Sequence, residues 1–209
     1  MLRNGFDHEI FIITPSSKMK RFINTGTYWQ HYENKVYCPA NLYAATKQSF
    51  EDIAKFYTEI SNLIFVTIKL NDTFGPNDTR PKIMNLLNNI AKTKEILKMS
   101  PGEQIMEITY IDNIVDFYLR MITLLQSQNA SAFNGRSFSP KVKEKLTLKE
   151  LVNIFEEEIE QKLNIQWGAY PYRKREIMTP WQNSESLHGW EEKISIREGI
   201  KNFIKEQNN

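Results

Sequence analysis

The stretch "FINTGTYWQHYENKVYCPANLYAATKQSFEDIAKFY", residues 22–57, decides how this chain is read. It opens on a short apolar run that ends in Thr25-Gly26-Thr27, so "RFINTGT" (21–27) is predicted as a strand and its exit loop. Soon afterwards comes "LYAATKQSFEDIAKFYTEI" (42–60). There Ala44, Ala45, Phe50, Ile53, Ala54, Phe56 and Tyr57 recur at helical spacing, which predicts an amphipathic helix. Asn41, following Pro39, suits its N-cap. In such a helix Tyr43 and Lys47 lie one turn apart on one face.

Those residue types have a chemistry in common. A tyrosine titrates near pH 10, too high for easy proton exchange at neutral pH, and a nearby ammonium stabilises its phenolate. A hydroxyl at an adjacent strand end, Thr27, can hydrogen-bond the reacting oxygen of a substrate. The three suit carbonyl/alcohol interconversion with hydride supplied by a nicotinamide. The spacing alone reads equally as a solvated helix face. A second Tyr-x-x-x-Lys, Tyr170 with Lys174, contains Pro171 and is predicted as loop.

Further along, "LIFVTIKLN" (63–71) is the near-continuous apolar run of a buried parallel strand. "DTFGPNDTRP" (72–81) is predicted as loop, followed by a helix to about Lys94. "GEQIMEITYI" (102–111) reads as a strand, with Asp112 capping a helix over 113–127 whose stripe is Ile114, Val115, Tyr118, Leu119, Ile122 and Leu125. Thr147 with Glu150, and Ser195 with Glu198, are capping-box signatures for the two later helices. The fold class expected is α/β: a parallel sheet with a less regular second lobe.

Composition narrows the classes. The chain has 209 residues, of which 41% are hydrophobic and 25% charged, and a net charge of +2. That balance gives no drive toward nucleic acid or an anionic membrane. No apolar run approaches the roughly 18 residues of a membrane span, and the amino end "MLRNGFDHEIFIITPSSK" makes a poor signal peptide. The single cysteine, Cys38, fits a reducing, cytoplasmic setting. His8, His31 and His188 lie far apart without ligand spacing, so no metal is expected. Ser184 and Ser186 near His188 read as loop, not triad.

The quoted stretch resembles the extended short-chain dehydrogenase/reductases, the nucleotide-sugar epimerase/dehydratase family. There a Ser/Thr-rich strand end is followed by a Pro-x-x-x-Tyr-x-x-x-Lys helix. "IKLNDTFGPNDTRPKIMNLL" is similar to the family's strand, Asn-x-Tyr-Gly-Pro loop and helix, and "MSPGEQIMEITYIDNIVDFYL" to its Gly-x-Gln…Asp-Phe-x-Tyr-Val-Asp-Asp segment. "WGAYPYRKREIMTPW" and "LHGWEEKISIREGIKNFI" are similar to the closing stretches of sugar 4-ketoreductases, including the CDP-abequose and CDP-paratose synthase type. The resemblance runs from about residue 19 to 206.

It implies the carboxy-terminal two thirds of a Rossmann-type fold. Residues 1–75 would be the remnant of the dinucleotide-binding domain and 76–209 mainly a substrate lobe, with about 105–128 returning to the Rossmann core. It implies NAD or NADP as cofactor, a nucleotide-sugar substrate, and reduction of a 4-keto-6-deoxy sugar for surface-polysaccharide (O-antigen) synthesis. Tyr43 would be the general acid, and Lys47 would hold the nicotinamide ribose and depress the Tyr43 pKa. Thr27 would bind the C4 oxygen. Asp72 to Pro76 would line nicotinamide and sugar, with Thr73, Phe74 and Gly75 on the cofactor and Asp72 on the substrate. Arg173, with Arg80, would reach the diphosphate; the alternative for "YRKRE" is a solvated basic loop.

The sequence also departs from the family. Its eight glycines never form Gly-x-Gly-x-x-Gly, and 26 residues precede Thr27 where relatives have two or more strand–helix units. An amino-terminally shortened chain is therefore expected, with residues 1–17 resembling none of the missing part. Asp72 replaces Asn, Met106 replaces an Arg directed at the diphosphate, and Phe74 replaces Tyr. Tyr28-Trp29 follows Thr27 where dehydratases carry Asp-Glu, which disfavours dehydration. An epimerase uses the same trio as a reductase. The alternative from another class is a catalytically silent fragment or interaction subunit, a homodimer or a chain that pairs through an exposed sheet edge.

Overall fold

A computed structural model of the chain describes residues 20–207; the amino-terminal stretch 1–17, with His8, lies outside them. The first elements are β1 (Arg21–Thr27), two 3-10 turns over 28–34, α1 (Leu42–Ile60), β2 (Ile64–Leu70) and β3 (Asp72–Phe74). Then follow α2 (Ile83–Thr93), β4 (Leu97–Lys98), β5 (Ile105–Met106), β6 (Ile108–Tyr110) and α3 (Ile111–Gln126). The chain closes with β7 (Ser137–Phe138), β8 (Leu146–Thr147), α4 (Leu148–Glu158), β9 (Ile165–Gln166) and α5 (Ile196–Gln207).

The central sheet is parallel, in the order β1-β2-β7, with Arg21 opposite Ile64 and Thr27 opposite Leu70. Successive side chains of a strand point to opposite faces, and here each face has its own helix. Phe22 and Phe65 stack at 5.5 Å, and Phe50 of α1 meets both rings at about 6 Å. Val66 and Ile68 point the other way, into a core with Phe117, Met121 and Leu125 of α3 and Phe138 of β7. β3 pairs in parallel with β6, a short strand inside the stretch predicted as loop.

A second core lies between α2, α4, α5 and the β3–β6 pair, built from Leu87, Tyr110, Leu151, Phe155, Ile200 and Phe203. Phe74 joins it edge-on to Tyr110 and Phe203. Gly199 lets α5 approach, because a Cβ there would stand 2.9 Å from that of Tyr110.

The helix ends follow local chemistry. Asn41 accepts the Ala44 N–H at 2.9 Å, as its position before α1 predicts. Thr147 and Glu150 complete a capping box on α4, and Ser195 accepts the Glu198 N–H at 3.2 Å. Three expectations about the helices are corrected. Asp112 sits in the first turn of α3, whose N-cap is Tyr110. The buried face of α3 carries Ile114, Phe117, Met121 and Leu125, while Val115, Leu119 and Ile122 are exposed. In α1, Ile53 and Phe56 are likewise exposed, since Ala44 and Ala54 bring the other face onto the sheet.

These faces make a direct prediction for urea denaturation. Phe155→Ala, at a fully buried ring, costs about 3–5 kcal/mol, whereas Phe56→Ala on the open face of α1 changes stability by no more than about 0.5 kcal/mol.

Candidate active site

The site forms where β1 ends and α1 begins. Thr27 is the last residue of β1 and caps the turn that follows: its Oγ1 accepts the Trp29 N–H at 3.3 Å. Its own N–H goes to Gln30 Oε1 at 3.0 Å. Trp29 O accepts the Ala40 N–H at 2.9 Å, which ties the lead-in of α1 to the strand end. The expected trio therefore sits on two elements tied to each other through the intervening 28–40 segment.

Tyr43 is in the first turn of α1 and Lys47 in the second, with Lys47 Nζ 5.6 Å from the Tyr43 ring centroid. Burial pushes the Tyr43 hydroxyl above its ordinary pKa, with Arg80 opposing. That is the reverse of the depression implied for Lys47, and geometry supplies a reason: the ammonium is placed against the ring. Burial lowers the Lys47 pKa, and Glu51 opposes this. Tyr43 is thus held as the protonated phenol.

The segment after β2 lies alongside. Asp72 Oδ2 accepts the Tyr28 hydroxyl at 3.0 Å. Burial raises the pKa of both groups, most strongly that of Tyr28, and the hydrogen bond, Lys82 and Arg173 hold Asp72 down. Thr73 Oγ1 reaches Asn71 O at 3.3 Å. The Phe74 ring is in the second core, so only its backbone is left to meet a ligand. A Cβ on Gly75 would collide with the Ile111 side chain, so this loop takes glycine for close approach to α3. Arg80 is exposed and forks onto Asp78 at 2.7 and 2.8 Å. Arg173 lies 5.8 Å over the Trp29 ring, with Nε 3.2 Å from Glu176. Arg80 is near enough to Tyr43, and Arg173 to Asp72, to act on their charge, whereas Tyr170 and Lys174 are outside any helix.

The sequence reading missed a group beneath this site. Lys69, with its side chain only 4% exposed, lies 3.4 Å from Glu51 and 2.8 Å from His31 Nε2. The Trp181 indole stacks on His31 at 3.7 Å. The available signal was one cation inside the apolar run "IFVTIKL", whose partners are distant in sequence. Among the described residues, no group of three His, Cys, Asp or Glu is placed to hold a metal, and no helix is long and apolar enough to cross a membrane.

The chain belongs to the NAD dependent epimerase/dehydratase family, whose pattern it matches over residues 15–134, more than half its length. It is 29% identical over 195 residues to the CDP-abequose synthase of Salmonella muenchen, covering 92% of this chain and 64% of that protein. It is 29% identical over 186 residues to the Yersinia pseudotuberculosis enzyme of the same name, covering 88% and 62%. The fold is that of the UDP-glucuronic acid 4-epimerase from Bacillus cereus, solved with UDP-glucuronic acid and NAD: TM-score 0.77 at 16% identity, over 91% of this chain and 62% of that one. The chain thus spans less than two thirds of the length of these relatives.

The buried histidine gives stability a pH dependence. Burial first, and Lys69 second, lower the His31 pKa from 6.5 to about 4. Between those values the unfolded chain takes up a proton that the folded chain excludes. Stability therefore falls as pH drops through this window, by about 3 kcal/mol in all. Urea denaturation at pH 7 and pH 4 should show His31→Asn losing less than the wild type by about that amount; equal losses would remove the link.

Proposed function

We propose that this chain is the catalytic portion of an NAD- or NADP-dependent nucleotide-sugar oxidoreductase, and within that class a reductase of a 4-keto-6-deoxy sugar nucleotide. The observation that carries it is the junction of Thr27 with the Tyr43–Lys47 turn of α1. Likeness to CDP-abequose synthases over nearly the whole chain supports the choice of substrate class. The division at about residue 75, with α3 returning to the sheet, belongs to the same reading.

A nicotinamide cofactor would supply the hydride. Lys47 would hold the cofactor ribose from the face of α1, with the backbone of Thr73 to Gly75 closing the same side. The residues present fit that end of the molecule; no Gly-x-Gly-x-x-Gly cradle for the pyrophosphate occurs in the 209 residues. Thr27 would hold the C4 oxygen by a hydrogen bond from its hydroxyl, keeping its own proton. Tyr43, protonated at neutral pH, would then deliver its proton to the developing alkoxide. Asp72 would accept from a sugar hydroxyl, and Arg80 and Arg173 would take the diphosphate.

A second reading, an interaction subunit without turnover, is favoured by one observation. Among the described residues β1 pairs on one side only, and Leu42, Ile53, Phe56 and Ile60 are exposed on α1. A second copy of this chain would be its simplest partner.

Titration of the purified chain with NADPH and NADH, followed by nicotinamide fluorescence, separates the two. Saturable binding is expected, and none up to millimolar cofactor would overturn the oxidoreductase reading in favour of the subunit. In the binding-competent protein Tyr43→Phe should lower turnover by on the order of 100-fold or more, with cofactor affinity kept.

A further inference from the structure

Beneath the trio runs a continuous chain of buried polar groups that the proton relay does not use. Gln30 has no exposed surface, and its Oε1 accepts the Thr27 N–H. Its Nε2 donates to Gln48 Oε1 at 2.8 Å and to Glu51 Oε1 at 3.0 Å, both on α1. The other Glu51 oxygen faces Lys69 Nζ, and that ammonium reaches His31 Nε2. An ammonium has donors only, so Nε2 accepts and the ring proton is on Nδ1, where it meets Lys35 O at 3.1 Å. Trp181 closes the chain, stacked on His31 with Lys69 Nζ 5.5 Å from its ring centroid.

Trp181 belongs to a strap, residues 173–182, that lies along the 28–39 turns. Its other ties include Arg173 over Trp29, Arg175 over Tyr32 and onto Pro39 O, the Gln182 N–H to Asn34 Oδ1 at 2.8 Å, Lys141 Nζ to Gln182 O at 3.2 Å, and one backbone bond, the Ile105 N–H to Met178 O at 2.9 Å. The exposed side-chain contacts among them contribute little each. The Trp181–His31–Lys69 stack is the one that reaches buried charge, where removing a partner leaves another unsatisfied.

We infer that Lys69 is a positioning residue: through Glu51 and Gln30 it fixes Thr27 against α1, and through His31 and Trp181 it anchors the strap that holds Arg173 beside Asp72. The roles of Thr27 and Arg173 rest on the function proposed above; the anchoring does not. Each partner comes from a different element, so Lys69 touches both the helix, at Glu51, and the strap, at Trp181. The charged groups around His31 are Lys69 on β2, with Glu51 and Asp52 on α1 acting through Lys69; Lys35, on its own loop, meets the ring with its backbone carbonyl.

The test uses the full chain with Lys69→Met and Lys69→Arg, and two readouts that need no catalysis. Arg173, Lys174 and Arg175 are exposed, so tryptic cleavage there under native conditions reports strap release. Tryptophan fluorescence against pH reports His31 protonation beneath Trp181. Lys69→Met should be cut in the strap on the order of ten times faster than the wild type. Its fluorescence midpoint should move up from near pH 4, because His31 loses the neighbouring cation. Lys69→Arg, which keeps charge and donors, should restore both. If Lys69→Met does not fold, Trp181→Leu decides: it leaves the ion pair in place and should free the strap to the same extent. Unchanged cleavage in the folded Met or Leu variant, or an Arg variant that behaves like Met, would overturn the inference. A failure to bind cofactor would sink the proposed function and leave these results standing.

Discussion

A cation buried at the end of a parallel strand must find its counter-charge within the protein. Lys69 does so with Glu51, and the pairing dictates much else. Water solvates an ammonium far better than a protein interior does, so its partners are held in place by what their displacement would cost. Glu51 lies one helical turn beyond Lys47, so the ion pair that satisfies β2 also sets the rotation of α1 about its axis. Gln30 then converts that rotation into a position for Thr27, because it accepts from the Thr27 backbone and donates to Glu51.

The two hydrophobic cores make this arrangement stiff in different ways. The sheet core grips β2 between Phe65 on the α1 side and Val66 and Ile68 on the α3 side. The second core holds β3 and β6 through Phe74 and Tyr110, and both strands run straight out of or into sheet-side elements. The segment Asn71 to Gly75 is therefore stretched between two packed bodies, and its glycine lies against Ile111 at the start of α3. A ligand that touched Asp72 and the backbone of Thr73 would meet a surface fixed at both ends.

The sequence shows local features well and distant pairings poorly. Residues 21–27 and 42–60 fold as the strand and helix that their patterns predict, because their signals are β-branching, periodicity and an Asn cap. The α3 stripe departs from the expected one at Val115, Leu119 and Ile122, which are exposed: apolar residues surround that helix, and periodicity alone does not choose between faces. Tyr43 and Lys47 were visible as a pair, yet the electrostatics around Tyr43 depend on burial and on Arg80, which no spacing reveals. Trp181 carried no signal at all. Its partner His31 is 150 residues earlier in the chain, and only the folded strap brings them together.

The two residues after Thr27 bear on the choice among the chemistries open to this family. Tyr28 is buried, with its hydroxyl directed to Asp72 and burial raising its pKa well above the ordinary value. Such a phenol holds its proton and has it committed to a neighbour, so it is a poor acid toward a sugar hydroxyl. Trp29 has no titratable group, and its ring lies under the Arg173 guanidinium. Positions that would need an acid and a base to expel water are instead occupied by a hydrogen-bonded phenol and a platform for the strap. Asp72 already accepts the Tyr28 hydroxyl through one carboxylate oxygen, so the acid and the base that elimination needs are not presented as a free pair. Within the proposed function, this favours a single proton transfer at Tyr43 over an elimination.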